Sequence, residues 1–284
     1  NSIGIVSAGG AGKVTAEWMI NGEVNEDVFS LDITRFEKFH SETNFIIDRA
    51  AESLGNQYAM HWPYKQQKTS RNIKTFPYHD LLKKEGACFG QVAGFESPLW
   101  YAIDGEKPEF KYSFGYQNWY KSAQNETINT RKNVGFFELT PFAKFEIEGE
   151  AAYSSLQYLC SNDIKNNDGA ITYTQMLNSK GGIEADLSVT CISKNKFRII
   201  TGSGVREHDK KHILRYLDQD VKFTDITDSY SCFGIFGPKS RSLLTQMVGN
   251  EFENNKFPFG TGKFLKINNI DIWFQRLSYV GELG

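Results

Sequence analysis

The sequence lacks the features that mark membrane-spanning, exported and nucleic-acid-binding proteins. No window holds the roughly 18 to 20 consecutive apolar residues that a membrane-spanning helix needs, and the first residues show no basic segment followed by an apolar one. The 32 basic and 34 acidic residues leave a net charge of -2, which provides no general field to attract phosphate backbones. We therefore expect no membrane insertion and no nucleic-acid partner.

Cysteine is scarce, and its spacing matches no zinc motif or disulfide framework. The four cysteines form no Cys-x-x-Cys pair and have no histidine nearby at metal-ligand spacing, so we predict reduced structural thiols and no metal site. They are Cys88, Cys160, Cys191 and Cys232. The histidine pair His208 and His212 lies four residues apart on an apparent helix, but among charges, and we interpret it as part of a solvated face.

The chain opens with an apolar segment that runs into a cluster of glycines. Its 284 residues, 40% of them hydrophobic, are typical of a folded protein with more than one core. Residues 3–22 predict a strand, a turn at Gly9, Gly10 and Gly12, and a helix ended by Gly22. Glycines in such a turn let a ligand approach the backbone. A plain tight turn is the alternative, because no downstream unit completes a dinucleotide-binding fingerprint.

The remainder divides into an irregular first part and a regular second part. A helical pattern from residue 41, a long irregular stretch, a short helix from Tyr78 and a strand near residue 90 predict a linker or small middle domain at residues 26–112. Beyond it, the pattern reads strand, helix, three strands, helix, strand, with a tight turn inside a predicted hairpin at 170–192. This order predicts an α+β fold with a ferredoxin-like or related split arrangement.

Asp186 interrupts an otherwise apolar, β-branched strand of that hairpin. Alternation places Asp186 on one face with Glu184 and Ser188, and the preceding strand can add Tyr173 and Gln175 to that face. If the face looks at solvent, Asp186 is an ordinary surface residue. If it lines a cavity, the carboxylate could hydrogen-bond a ligand amine or accept its proton. The pattern leaves both interpretations open.

Several motifs run in order over nearly the whole chain. They are IVSAGGAGKVTAEWMINGE, SLDITRF, YAMHWPY, GACFGQVAGFESPLWY, YTQMLNSKGGIEADLSVT, FGIFGPKSRSLL, KFPFGTGK and RLSYVGELG. Together they resemble the dimethylglycine and sarcosine dehydrogenase family. In that family a flavin domain oxidises an N-methyl group of a small amino acid. A C-terminal domain similar to the glycine cleavage T-protein then passes the one-carbon unit to tetrahydrofolate.

The resemblance implies a division of the chain into three parts. Residues 1–25 resemble the C-terminal tail of the FAD-dependent oxidoreductase domain, and residues 26–112 resemble its central connector domain. Residues 113–284 resemble the aminomethyltransferase, or T-protein-like, folate-binding domain with mixed or antiparallel sheets, truncated at its C-terminus. The chain begins at Asn1 and ends in what looks like an unfinished strand unit, so we expect a fragment of a longer protein.

The same resemblance implies the site residues. The family motif of Gly-Gly-Ile, two variable residues and Asp places the catalytic aspartate at Asp186, where it would orient and activate the folate amine. The T-protein pattern usually has a second, preceding aspartate, which is Ala185 here. The implied folate contacts are Tyr173, Ile200, Thr201 and Tyr279. The implied FAD contacts, in an incomplete site, are Gly9, Gly10 and Gly12.

Our leading hypothesis is a fragment of a flavin- and tetrahydrofolate-dependent oxidative demethylase. It would act on dimethylglycine, sarcosine or a related methylamine, in the bacterial cytoplasm or the mitochondrial matrix, with FAD in the full-length protein. Its flavin would be reoxidised by oxygen or by an electron-transfer protein. Two alternatives remain: a T-protein-like aminomethyltransferase without flavin chemistry, and a regulatory homologue that has lost catalysis.

Overall fold

The computed structural model describes residues 4–22, 24, 26–103, 105–279 and 281–284, with the backbone alone for residue 34. The helices are α1 Gly4–Asn21, α2 Thr43–Gly55, α3 His79–Lys84, α4 Tyr120–Lys132, α5 Ala152–Leu159, α6 Arg206–Tyr216 and α7 Ser240–Val248. The strands are β1 Ala87–Val92, β2 Phe95–Tyr101, β3 Gly135–Glu138, β4 Ala143–Glu148, β5 Ile171–Leu177, β6 Ile183–Ser193, β7 Lys196–Thr201, β8 Lys222–Asp225, β9 Phe233–Phe236, β10 Thr261–Ile267 and β11 Ile270–Arg276.

A five-stranded antiparallel sheet organises the second half of the chain. Its strand order is β5-β6-β7-β4-β8, and helix α5 leads from β4 to β5 while α6 leads from β7 to β8. Strands β6, β7, β4 and β8 with these two helices form the predicted split arrangement, and β5 adds an edge. The predicted α+β fold is confirmed.

The main core lies between this sheet and helices α5 and α6. Alternate residues of the central strands, such as Val189, Phe197 and Ile199, are at most 1% exposed and pack with Leu156 and Ile213 from the helices. Burying one such large apolar side chain contributes about 1.5–3 kcal/mol. Because residues alternate along a strand, every second side chain points to the opposite face of the sheet.

The hairpin β10–β11 reaches that opposite face. Gln275 of β11 donates from Nε2 to Oγ1 of Thr190 in β6 at 2.7 Å. At the strand edge, the Gly262 amide donates to the Gly169 carbonyl at 2.7 Å. Gly169 has φ +80° and a Cβ there would lie 2.3 Å from the Gly262 oxygen, so the close approach requires glycine. The hairpin is therefore held directly over β6.

The connector region is packed and is joined to the sheet unit by side chains. Trp100 of β2 is 2% exposed. The Tyr78 hydroxyl donates to Oε1 of Glu138 at 2.9 Å, and Lys74 lies 3.4 Å from the Asp228 carboxylate. These contacts tie residues before β1 to residues around β3 and β8, so the connector is an ordered part of the fold.

The predicted strand and glycine turn at the start of the chain are wrong for the described residues. Helix α1 runs without interruption from Gly4 to Asn21 and contains Gly9, Gly10 and Gly12. Among the described residues no strand pairs with this segment, so a helix is the structure that satisfies its backbone hydrogen bonds locally. No described helix is long and apolar enough to cross a membrane.

Candidate functional site

Four strands each place one residue in a row across the sheet face that points away from α5 and α6. Tyr173 of β5 lies opposite Ser188 of β6, Ser188 opposite Ile200 of β7, and Ile200 opposite Lys144 of β4. Directly opposed residues have Cβ atoms about 4.5–5.5 Å apart. These four residues, here called the Tyr173–Lys144 row, run from a half-exposed tyrosine to a lysine that is 4% exposed.

Asp186 lies at the exposed end of the row. It is two residues before Ser188 on β6, faces the same side, and pairs with Gln175 of β5. Nε2 of Gln175 donates to Oδ1 of Asp186 at 3.2 Å. The Asp186 carboxylate raises the pKa of the Tyr173 hydroxyl above its ordinary value, chiefly through a side-chain hydrogen bond. The structure thus brings together the carboxylate, the amide and the phenol that the sequence placed on one face.

Tyr279 completes an aromatic edge beside Asp186. Its ring lies edge-on to the Tyr173 ring, with the centroids 5.8 Å apart. Tyr173 and Tyr279 are 49% and 69% exposed. Two exposed aromatic rings next to a carboxylate form a surface that a flat ring carrying an amine could contact.

Thr201 lies on the other face of the sheet. It follows Ile200 in β7, so its side chain points toward α6, where Oγ1 donates to Oδ2 of the buried Asp209 at 2.5 Å. Of the four implied folate contacts, the structure therefore brings Tyr173, Ile200 and Tyr279 to the row but not the Thr201 side chain. Alternation along β7 is the reason, because adjacent strand residues cannot share a face.

Lys144 was missed by the sequence reasoning. Its Nζ donates to the carbonyl oxygens of Thr140 and Phe142 at 2.8 and 2.7 Å, and within the described ranges no carboxylate lies at ion-pair distance from it. Burial lowers the pKa of its amine. The available signal was the alternation of β4, in which Lys144 and Glu146 alternate with apolar core residues and therefore share the opposite face of the sheet.

His208 is not on a solvated face, contrary to the interpretation from the sequence. Its Nδ1 lies 3.0 Å from Asp209, its Nε2 lies 3.3 Å from Glu184, and its ring packs edge-on against Phe29. The hydrogen bond with Asp209 is the main cause that raises the pKa of His208. Among the described residues no group of three or more histidine, cysteine or acidic side chains could hold a metal ion.

The glycines implied as FAD contacts do not form a turn. Gly9, Gly10 and Gly12 lie in α1, and a Cβ built at any of them meets no atom within 4 Å among the described residues. A helix of this kind offers no cradle of backbone amides, because its interior amides already bond to carbonyls four residues earlier. Contact with flavin at these positions remains a prediction.

The five-stranded sheet with its two crossover helices defines the class of fold. The crystal structure of the glycine cleavage system aminomethyltransferase T from Bartonella henselae matches with a TM-score of 0.58 and 22% identity. The match covers 74% of this chain and 52% of that chain, and it confirms the T-protein-like fold.

Two family models match consecutive parts of the chain. The FAD dependent oxidoreductase central domain matches residues 21–75, and the GCVT N-terminal domain matches residues 78–284. The chain therefore belongs to the GCVT family and joins that domain to the central domain of a FAD dependent oxidoreductase. The GCVT match begins ahead of residue 113, where the sequence reasoning placed the folate domain.

The relatives of the chain include enzymes and a regulatory protein. The 4-methylaminobutanoate oxidase (formaldehyde-forming) of Paenarthrobacter nicotinovorans is 35% identical over 285 residues, covering 100% of this chain and 35% of the relative. The mitochondrial dimethylglycine dehydrogenase of Rattus norvegicus is 31% identical over 288 residues, covering 99% of this chain and 33% of the relative. The mitochondrial pyruvate dehydrogenase phosphatase regulatory subunit of Mus musculus is 31% identical over 292 residues, covering 100% of this chain and 33% of the relative.

These matches confirm the resemblance to the dimethylglycine and sarcosine dehydrogenase family. The chain spans about a third of the length of the curated relatives it matches.

Proposed function

We propose that this chain is part of a flavin- and tetrahydrofolate-dependent oxidative demethylase and carries its one-carbon transfer site. The observation that supports this most is the exposed Asp186 carboxylate, held by Gln175 beside Tyr173 and Tyr279 in a T-protein-like fold. In the proposed division, residues 1–25 belong to the flavin domain, 26–112 to its connector and 113–284 to the folate domain.

The described residues suit a bound folate. Bound tetrahydrofolate supplies a nucleophilic amine that captures a one-carbon unit. Asp186 would orient that amine and accept its proton, and the Gln175 amide would hold the carboxylate in place. Tyr173, whose hydroxyl is hydrogen-bonded to the Asp186 carboxylate, would pack against the ligand together with Tyr279. Ile200 would provide an apolar surface between Ser188 and Lys144.

The flavin half-reaction is assigned to parts of the protein outside the described chain. We propose that FAD there oxidises dimethylglycine, sarcosine or a related methylamine, and that oxygen or an electron-transfer protein reoxidises it. Helix α1 supports a larger protein, because Ile5, Val6, Met19 and Ile20 are all at least 81% exposed and an apolar surface of this kind requires a partner. We assign that partner to the flavin domain, and place the enzyme in the bacterial cytoplasm or the mitochondrial matrix.

The test uses the full-length protein with dimethylglycine, sarcosine and 4-methylaminobutanoate. We expect at least one of them to bleach the flavin absorbance, and added tetrahydrofolate to replace formaldehyde by methylenetetrahydrofolate as the product. If an amine reduces the flavin but added tetrahydrofolate does not change the amount of formaldehyde released, the folate role is contradicted. Folate product formed without any flavin reduction would favour an aminomethyltransferase without flavin chemistry.

A regulatory homologue is the second candidate. It is favoured by the mouse phosphatase regulatory subunit, which is as similar to this chain as the rat dehydrogenase is. The same experiment separates the two, because a regulatory homologue shows neither flavin reduction by the amines nor folate product. The Asp186 carboxylate, with Tyr173 and Gln175 still arranged around it, favours the enzyme.

A further inference from the structure

Ser188 is the buried polar residue at the centre of the Tyr173–Lys144 row. Its side chain is 1% exposed, and among the residues that the structure describes its hydroxyl has no hydrogen-bond partner. A buried hydroxyl that makes no hydrogen bond has lost its water without compensation, which is unfavourable for the free protein. Such a group in a native fold calls for an explanation, and a ligand is one.

The surroundings of Ser188 coincide with the candidate site. Tyr173 and Ile200 are its two cross-strand neighbours, and Asp186 is the preceding residue on the same face of β6. The next same-face residue, Thr190, is satisfied by Gln275 of the covering hairpin. Asp186 is likewise satisfied by Gln175. Ser188 thus lies between two residues of β6 whose side chains are hydrogen-bonded, while its own hydroxyl has no partner in the described structure.

We propose that the Ser188 hydroxyl hydrogen-bonds the ring system of the folate ligand and sets its depth and orientation beneath the Asp186 carboxylate. The inference rests on the proposed function and adds a positioning residue to it. A ring between Tyr173 and Ile200 has an aromatic and an aliphatic neighbour, neither of which fixes its rotation in the plane. A hydroxyl at the floor supplies one directional contact, to a ring nitrogen or oxygen.

Access to Ser188 requires side chains that can move aside. Tyr173 is directly opposite it and Tyr279 packs on Tyr173, and both rings are at least 49% exposed. Exposed rings with few contacts shift rotamer readily. Ligand binding would therefore displace these rings and leave the backbone of β6 in place.

The chain offers a matched control for the test. Ser122 of α4 is also 1% exposed and its hydroxyl also lacks a partner in the described part of the chain, but it lies outside the row. Ser188→Ala and Ser122→Ala each remove one unpaired buried hydroxyl. We expect neither variant to lower the unfolding temperature of the full-length protein.

The two variants should differ in ligand binding. We expect Ser188→Ala to bind 5-formyltetrahydrofolate about 3- to 10-fold more weakly, as loss of one neutral hydrogen bond implies, and Ser122→Ala to bind as the unsubstituted protein does. Calorimetric titration measures both. Amine-dependent flavin reduction serves as a readout that neither substitution should change.

Equal affinity of Ser188→Ala and the unsubstituted protein would overturn the inference and leave the proposed function standing. An unfolding temperature clearly lower for Ser188→Ala than for Ser122→Ala would assign the hydroxyl a structural role and also overturn it. If the unsubstituted protein does not bind 5-formyltetrahydrofolate, the proposed function itself fails, and this inference with it.

Discussion

Helix α1 and the five-stranded sheet both contain many apolar residues, but only the sheet buries them. Ile5 and Val6 in α1 are 96% and 88% exposed, whereas Phe145 and Phe197 in the sheet are fully buried. No residue of α1 is buried. Apolar composition alone therefore does not decide burial; a partner surface does. The sheet has one in α5 and α6, whereas α1 makes only slight contact with the described chain, as where Lys211 of α6 lies 5.5 Å from the centroid of the Trp18 ring.

The largest difference between the two regions should be in the free energy of unfolding lost when one large apolar side chain is replaced by alanine. Phe197→Ala leaves a cavity between the sheet and its helices, so we expect it to lower the free energy of unfolding by about 3–5 kcal/mol. Ile5→Ala removes no buried contact, and its effect should stay within about 0.5 kcal/mol. Urea unfolding measures both, and similar losses for the two variants would show that α1 shares the core.

Hydrogen exchange should separate the same two regions without mutation. The amides of α1 have little tertiary packing to protect them, while those of β6 and β7 open only with the sheet, so we expect α1 to exchange on the order of 10³-fold faster. In a full-length protein in which α1 packs on a flavin domain, this difference should shrink. Equally slow exchange of α1 and β6 in the 284-residue chain would contradict the weak packing of α1 on the described chain.

Removing a buried ion pair of the sheet should lower stability by an intermediate amount, whereas removing an exposed ion pair of α1 should have no effect. Arg198 donates to Glu146 at 2.7 Å and both side chains are at most 14% exposed. Burial alone would raise the pKa of Glu146, but hydrogen bonds from Lys196 and Arg198 outweigh it and lower the pKa. We expect Arg198→Met to cost about 2 kcal/mol at pH 7, since it leaves a buried carboxylate less well paired.

The pH dependence of that cost follows from the lowered pKa. The stability that Glu146 contributes is present above its unfolded pKa, about 4.3, and is lost as the pH falls through the folded value. The difference in stability between Arg198→Met and the unsubstituted protein should therefore begin to narrow as the pH falls below about 4.3, and it should close once the pH is below the folded pKa of Glu146. The control is Lys13→Met, which removes an exposed ion pair between Lys13 of α1 and Glu26. It should leave the unfolding curve unchanged at pH 7 and at about pH 4.

The smallest effect expected is in the glycine segment of α1. Gly10 lies in a helix with nothing within 4 Å of a built Cβ, so Gly10→Ala should stabilise α1 by about 1 kcal/mol. Slower amide exchange within α1, together with slightly stronger helical circular dichroism, would report it. Loss of helicity would instead favour the glycine turn that the sequence suggested.

The sequence predicted those parts of the molecule whose pattern is local. Alternation along β5 and β6 was sufficient to place Asp186, Tyr173 and Gln175 on one face, because a strand has a period of two. The glycine cluster of α1 led to a wrong prediction, because glycines are typical of turns. Whether a strand has a neighbouring strand to pair with depends on distant parts of the chain, so the segment itself does not show it. The positions of Lys144 and Ser188 in the row depend on which strands become neighbours, and that information is distributed over the whole chain.

Asp186→Asn in the full-length protein tests the central claim most directly, because it keeps the shape of the side chain and removes its charge. Asp271→Asn, at an exposed carboxylate of β11 that pairs only loosely with Lys266, is the matched control. We predict that Asp186→Asn lowers methylenetetrahydrofolate production on the order of 10²-fold or more, while amine-dependent flavin reduction persists and Asp271→Asn changes neither rate. Methylenetetrahydrofolate production by Asp186→Asn at the unsubstituted rate would contradict the account.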